Sequence, residues 1–385
     1  MRQILKRIYF DWAASAPYND DELVPENNIF LGNPSSKHSE GKAAKDALEK
    51  AREQCAEALN VSSENLYFTS GGTESNSIAL FSNLTKISQG RIIASAAEHA
   101  SIREGMETLA KMGKPVGKIA VDSSGRVTAD TLEKALEKYP DTRFVSIMSV
   151  NNETGSVTDI PSLRDVLRKK TDGTAPIHFH CDLVQAVGKI PIDIQNWEID
   201  SAAISSHKIC GPRGIGLLYL RRPAESFEVF YSGGGQEKGI RGGTENTMGA
   251  IALAKCLKSI NNEKAHSRMN KLITALSKME RCTLIPVIRS TLDAHPSPHF
   301  SPYILQAAFK DIPGEVMARA LDDKGFAVST GSACSSSSNE RPVLAAMGVD
   351  EKLRVEGIRI SQGYTTTDED IDLLIEAIEE VLKFL

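Results

Sequence analysis

Ser205-Ser206-His207-Lys208, followed by Gly211-Pro212-Arg213-Gly214-Ile215-Gly216, is the stretch on which the fold turns. Ala202-Ala203-Ile204 leads in, and Ile215-Gly216-Leu217-Leu218-Tyr219-Leu220 leads out. Both runs have the aliphatic and β-branched character of strands. A lysine set between two such runs is not expected to be fully solvated. The neighbouring glycines let a backbone or a flat ligand come close. A lysine in a poorly solvated pocket has a lowered pKa, and its neutral amine can attack a carbonyl carbon to make a Schiff base. Taken alone, the same residues fit a surface lysine at a strand end beside a glycine turn.

The stretches upstream share one pattern. Leu66-Tyr67-Phe68-Thr69 reads as a strand, and Ser70-Gly71-Gly72-Thr73-Glu74-Ser75-Asn76 leads from it into a helix through Ile78-Ala79-Leu80. Free N–H groups at that helix start, with the Thr73 hydroxyl, can hold a phosphate; an ordinary threonine cap fits the same residues. Arg91-Ile92-Ile93-Ala94-Ser95 is a strand ending near Glu98-His99. Phe144 to Val150 is a buried-strand run ending at Asn151-Asn152-Glu153-Thr154-Gly155. Ile177 to Asp182 is another, with Gln185 three residues on. Strands alternating with helical segments imply a parallel sheet covered on both faces, with ligands beyond the carboxyl ends of the strands. Thr73, His99, Asn152, Asp182, Gln185 and Lys208 all fall at such ends. Each also has a structural reading: Asp182 can cap a helix carrying Gln185, and Asn151-Asn152 can make a turn. His178 and His180 share a strand face but lack a third ligand, so no metal is expected.

Other segments frame this core. From Gly41 to Asn60 the positions Ala44, Leu48, Ala51, Cys55, Ala58 and Leu59 repeat at helical spacing. Ile8-Tyr9-Phe10 is a short strand running into Asp11-Trp12-Ala13-Ala14-Ser15-Ala16-Pro17. Residues 232–237 and 241–246 form a glycine-rich loop, exposed or in close approach to a partner, and a helix follows from about Ala250. Beyond residue 262 the chain is charged and has no strong strand signal until Ala307-Ala308-Phe309. A helix is expected from Gly314 to Leu321 and a strand over Phe326-Ala327-Val328-Ser329. The loop from Thr330 to Glu340 has almost nothing apolar to bury and is expected to be mobile, which makes Cys334 a reactive thiol on a movable arm. Arg359 interrupts the strand pattern Ile358 to Ser361 and is a candidate carboxylate clamp. Thr367 is the expected N-cap of an amphipathic last helix.

Composition bounds the function. The chain has 385 residues, 41% hydrophobic and 25% charged, with a net charge of -5. That composition is ordinary for a soluble globular protein, and the net charge argues against a general nucleic-acid binder. No apolar run approaches the length needed to span a bilayer, so no membrane partner and a cytoplasmic location are expected. The six cysteines lie far apart with no C-x-x-C pair, which speaks against a zinc site or a disulfide framework.

In order along nearly the whole chain, these motifs resemble the pyridoxal-phosphate-dependent cysteine desulfurases of fold type I. The matching stretches include Gly32-Asn33-Pro34-Ser35-Ser36, residues 69–75, Glu98-His99, residues 151–155, Asp182 with Gln185, Ser206-His207-Lys208, residues 233–237 and 241–246, Gly331-Ser332-Ala333-Cys334, and Arg359. The resemblance implies an α/β fold, with a large domain built on a mostly parallel seven-stranded sheet between helices and a smaller α/β domain. The expected division is 16–255 for the large domain, and 1–15 with 256–385 for the small one. Lys208 would carry pyridoxal 5'-phosphate as a Schiff base, and Asp182 would pair with its pyridine nitrogen. His99 would stack on the ring and move protons. Asn152 and Gln185 would contact the ring oxygen or its surroundings. Gly72, Thr73, Ser205 and His207 would hold the phosphate. Thr244 would reach the phosphate of a neighbouring subunit, which implies a homodimer. Arg359, with Asn152, would bind the substrate carboxylate. Cys334 would take sulfur from L-cysteine as a persulfide, leaving L-alanine. The sulfur would pass to an iron–sulfur scaffold protein or a tRNA-thiolation relay. Selenocysteine lyase and other fold type I aminotransferases or lyases are the alternatives, and a non-catalytic assembly subunit is a third reading that the intact residue set opposes. The first loop departs from the family's usual Asp-Asn-Ala-Ala-Thr-Thr at Trp12 and Ser15, so the entrance to the site is expected to differ. The loop after Cys334 is short and carries Asn339-Glu340-Arg341-Pro342 where Glu-Pro-Ser is common, which bears on partner choice.

Overall fold

The computed structural model describes residues 7–18, 32–82, 90–171, 176–222, 233–259, 264–291, 297–331 and 341–385. In chain order the elements are β1 (Ile8–Tyr9), α1 (Ser39–Leu59), β2 (Leu66–Thr69), α2 (Gly72–Phe81), β3 (Arg91–Ser95) and α3 (Ala100–Lys111). Then come β4 (Val116–Ile119), α4 (Ala129–Lys138), β5 (Thr142–Met148), α5 (Ile160–Thr171), β6 (His178–Asp182), β7 (Ser201–Ser205) and β8 (Gly216–Leu220). The remainder is α6 (Thr247–Lys258), α7 (Ala265–Leu276), β9 (Cys282–Ile285), β10 (Ile304–Phe309), α8 (Gly314–Asp323), β11 (Phe326–Ala327), α9 (Pro342–Ala346), α10 (Glu351–Glu356), β12 (Gly357–Ser361) and α11 (Asp368–Phe384).

Seven strands form one sheet in the order β2-β8-β7-β6-β5-β3-β4. β8 is antiparallel to both of its neighbours, and the other pairings are parallel. The sheet is mostly parallel, as expected, and β8 is the strand that runs the other way. The Gly211–Gly214 turn brings the chain straight back beside β7, with no crossover helix between them. Successive strand residues point to opposite faces. Phe68, Ile93, Val145, Phe179 and Leu217 pack on one face with residues of α1, α4, α5 and α6. Tyr67, Ile92, Phe144 and Leu218 pack on the other with residues of α2 and α3. Burial on both faces is why these strands read as continuous apolar runs.

A second layer lies beside this one. β12, β10 and β9 form an antiparallel three-stranded sheet, and β1 pairs in parallel with β11. Ile8 and Phe10 share a core with Met269, Leu305, Ile360 and Leu374. The segment after residue 262, which lacked a strand signal, holds α7 and the short β9. β9 is brief and edge-placed, so little alternation marks it. The strand expected over 326–329 shortens to Phe326–Ala327, with Ser329 making an isolated bridge to Arg359. No helix carries Gln185; residues 184–189 are successive turns, and Asp182 accepts from the Val184 N–H at 2.9 Å.

Local chemistry fixes the long helices. The periodic face Ala44, Leu48, Ala51, Cys55 and Leu59 of α1 is buried, and Asn60 closes the helix in the left-handed conformation. Thr367 and Asp370 form a capping box on α11. The glycine-rich loop is tied down rather than free. Its Glu237 is buried and accepts from Arg52 Nη1 at 2.7 Å, from Arg52 Nη2 at 2.9 Å and from the Phe68 N–H at 2.8 Å. A Cβ on Gly233 would lie 2.8 Å from Gly242 Cα, so these two backbones need glycine to meet. Burial opposes the Arg52 charge, but the Glu237 carboxylate, with Glu49 after it, more than offsets this and raises its pKa. Breaking such a pair strands a charge in the interior. Glu237→Ala is expected to cost about 3–5 kcal/mol in urea unfolding, and Arg52→Met combined with Glu237→Leu less than that.

Candidate active site

The carboxyl ends of β2, β3, β5, β6 and β7 open onto one cavity of about 290 Å³. Lys208 ends a short 3₁₀ turn directly after β7. Its Nζ donates to the Ala13 and Ala14 carbonyls, each at 2.7 Å. The small-residue loop therefore forms one wall. It is held there by the Ala16 N–H donating to the His207 carbonyl at 2.8 Å, and by the Ala13 N–H donating to Ser361 Oγ at 2.9 Å. Trp12 is not at the cavity. Its indole is buried near Tyr364, ring centroids 6.2 Å apart, over a position where a Cβ on Gly363 would meet the ring at 2.0 Å. The expected change at the entrance is thus a change in interior packing.

Asp182, at the end of β6, is 3% exposed. Its Oδ1 accepts from Val184 and its Oδ2 from Asn76 Nδ2 at 2.8 Å. Gln185 donates to the Ala13 carbonyl at 2.9 Å and accepts from the buried Lys189 ammonium. Lys189 is pushed down to about 7, by burial first and then by the Lys208 charge. An ammonium only donates, so the Gln185 amide must turn its oxygen to Lys189 and its NH₂ to the loop.

The start of α2 forms another wall. Gly71 caps it without a side-chain hydrogen bond, at φ 149°, and the exposed Thr73 follows. A Cβ on Gly72 would lie 2.6 Å from Val184 Cγ2, so only glycine fits. Ser205 and His207 stand opposite on the β7 side. His207 is pushed down to about 4, by burial and then by Lys208, and its Nδ1 lies 3.3 Å from Ser15 Oγ. His99 caps α3. Burial lowers its pKa, the Asp182 charge opposes the shift, and Lys208 adds to it.

Arg359 enters from β12. It donates to the Asn152 carbonyl at 3.0 Å and to Asp11 Oδ1 at 2.7 Å. Its Nε and the Asn152 Oδ1 are buried and have no partner among the described residues. Every residue singled out from sequence lines this cavity except Thr244, which is exposed, and Cys334, which lies outside the described residues along with the loop 332–340. Sequence reading missed Asn76, Glu98 and Ser101. Asn76 lies one helical turn from Thr73, so its position on the cavity side was available from spacing. Glu98 carries no such signal, because its burial depends on a neighbouring strand.

Among the described residues five cysteines are free, and no cluster of three or more His, Cys, Asp or Glu suits a metal. No described helix is long and apolar enough to cross a membrane.

Known proteins share this arrangement. Residues 8–374 match the family described as Aminotransferase class-V. The chain is 36% identical to "Cysteine desulfurase IscS" of Dictyoglomus turgidum, over 99% of this chain and 95% of that one. It is 38% identical to "NifS/IcsS protein homolog" of Lactobacillus delbrueckii, over 98% and 97% respectively. Among solved structures, "NIFS-LIKE PROTEIN" superposes with a TM-score of 0.85 at 33% identity, covering 98% of this chain and 100% of that one. The chain belongs to the class-V aminotransferase family of pyridoxal-phosphate-dependent, fold type I enzymes.

Proposed function

We propose that the protein is a cysteine desulfurase, holding pyridoxal phosphate on Lys208 and moving sulfur from L-cysteine to Cys334. The observation that carries this reading is the convergence of Lys208, Asp182, His99 and Arg359, from four separate strands, on one cavity. The cavity's own chemistry fits the cofactor. An uncapped helix start and a glycine that excludes any Cβ suit a phosphate, with Ser205 and His207 beside them. A buried carboxylate suits a protonated pyridine nitrogen. The unpartnered Asn152 Oδ1 and Arg359 Nε suit polar groups of cofactor and substrate.

When bound, the cofactor supplies an electron sink for the charge left at Cα. The residues divide the remaining work. Arg359 binds the substrate carboxylate, which requires its guanidinium to share or release Asp11. Lys208, on the turn after β7, takes the Cα proton. Asp182 keeps the positive charge opposite it in place. The Cys334 thiolate attacks the substrate sulfur: the C–S bond breaks as the S–S bond forms, and the carbon gains a proton to give alanine. Thr244 is exposed and outside its own chain's cavity, which supports a homodimer in which it serves the neighbouring subunit. The persulfide is then passed to an acceptor, an iron–sulfur scaffold or a thiolation relay, in the cytoplasm. The separate cores support a large domain over 16–255 and a small one formed by 1–15 with 256–385.

With L-cysteine and a thiol reductant, the yellow protein is expected to release sulfide and alanine in equal amounts. Cys334→Ser should keep the colour and lose at least 100-fold in sulfide release, and Lys208→Ala should lose both the Schiff-base absorbance and turnover. Amino-group transfer or pyruvate formation unaffected by Cys334→Ser would sink the reading.

Glu98 gives a test by pH. Its carboxyl is raised to about 8, by burial first and then by the Asp182 charge. Between its ordinary pKa near 4.5 and about 8, the folded protein keeps a proton that the unfolded chain has released. Stability contributed at this site therefore falls as pH rises through that window. Glu98→Gln removes the dependence. Chemical denaturation from pH 5 to 9 should show the variant gaining on the wild type as pH rises; a constant difference would refute the assignment.

A further inference from the structure

A continuous line of hydrogen bonds runs behind the cavity and joins Asp182 and His99 through residues that the proposed chemistry leaves unused. It starts at Asp182 Oδ2, which accepts from Asn76 Nδ2 at 2.8 Å. The second hydrogen of the same amide goes to Ser101 Oγ, 2.9 Å away. Ser101 Oγ lies 2.9 Å from His99 Nδ1, and the Ser101 N–H donates to that nitrogen at 3.1 Å. On the other side, Asn76 Oδ1 lies 2.9 Å from His180 Nε2. His180 Nδ1 lies 2.8 Å from Ser201 Oγ, and Ser201 Oγ lies 2.7 Å from His178 Nε2. The strand period builds this line. His178, His180 and Asp182 alternate along β6 onto the face covered by α2, and Ser201 is His180's partner on β7.

The donor and acceptor inventory places each proton. An ionised carboxylate only accepts, so Asn76 must turn its NH₂ to Asp182 and its oxygen to His180. His180 then carries its proton on Nε2, and its Nδ1 accepts from the Ser201 hydroxyl. His180 is fully buried, and burial pushes it down to about 3, so the ring is neutral. Ser201 in turn accepts from His178. In the other direction, Ser101 Oγ accepts from Asn76 and keeps its own hydrogen free for His99 Nδ1. The Ser101 N–H reaches the same nitrogen and independently requires it to be bare.

We infer that His99 stands in the cavity as a single neutral tautomer, protonated on Nε2, and that Asn76 is the positioning residue that ties it and His180 to the Asp182 carboxylate. His99 Nε2–H is then a hydrogen-bond donor to whatever occupies the cavity. The lone pair of its other nitrogen is taken, so His99 offers a hydrogen bond and does not serve as a base. The Cα proton is left to Lys208. This consequence rests on the proposed desulfurase reading; the tautomer itself does not.

The test is ¹⁵N NMR of the full-length, cofactor-loaded protein labelled at its histidine rings, with signals assigned by His99→Gln and His180→Gln. Both rings are expected to show one protonated Nε2 and one bare Nδ1. A protonated or averaged Nδ1 on His99 would overturn the proposal. In Asn76→Leu, His180 is cut off from Asp182 and should lose its single-tautomer signature, while His99 keeps the Ser101 N–H and its bare Nδ1. An unchanged His180 spectrum in that variant would show that Asp182 does not order the chain. Absence of the cofactor's absorbance would defeat the proposed function, and the tautomers are read from the same sample independently of it.

Discussion

The Asp182 carboxylate is buried, accepts hydrogen bonds and gives none. An uncompensated charge there would be costly, so its surroundings are organised to meet it. Val184 satisfies one oxygen by bending the chain into turns, which is why no helix forms after β6. Asn76 satisfies the other, and this requires α2 to lie across β6 and to start where Gly72 fits against Val184. The start of α2, the end of β6 and the start of α3 are thus placed relative to one negative charge. That charge then faces a cavity bounded on the far side by Lys208 and Arg359.

The second constraint is the Arg52–Glu237 pair. It joins α1, the backbone of β2 and the glycine-rich loop through one buried carboxylate. The loop composition alone suggests freedom. The structure shows glycines used instead for contact, Gly233 against Gly242, with Glu237 as the fastening. Arg241 extends the attachment to Glu74 on α2, with Nε 3.2 Å from the carboxylate. The loop that carries Thr244 is therefore anchored to the same helix that opens the cavity.

Much of this was legible from residue order. Buried parallel strands are apolar along their length, so β5, β6 and β7 stood out, and the polar residues at their ends fell where such sheets bind ligands. Asp182, His99 and Lys208 could be named for that reason. What sequence did not carry was direction and proximity. β8 reads like its neighbours, and only the lack of a crossover makes it antiparallel. Gln185 at a three-residue step from Asp182 suggests a helix, but capping by Asp182 bends the segment into turns. Trp12 looked like an altered entrance because its neighbours line the cavity; its packing against Gly363 is a contact 351 residues away along the chain and leaves no local trace. Asn76 and Glu98 join the cavity through what they touch, which spacing alone does not give.

The seam between residues 11–16 and residues 359–361 has a consequence for the order of folding. All seven strands of the large sheet lie between residues 66 and 220, so that sheet is complete well before the chain is. The wall contacted by Lys208 is different. Residues 11–16 are fixed by Ser361 and by the Arg359–Asp11 ion pair, contacts made 348 residues further along the chain in each case. Domains emerge and fold in order during synthesis. The nascent protein therefore has its core before it has a closed cavity, and Lys208 gains the Ala13 and Ala14 carbonyls in their fixed positions only once residues 359–361 have been made.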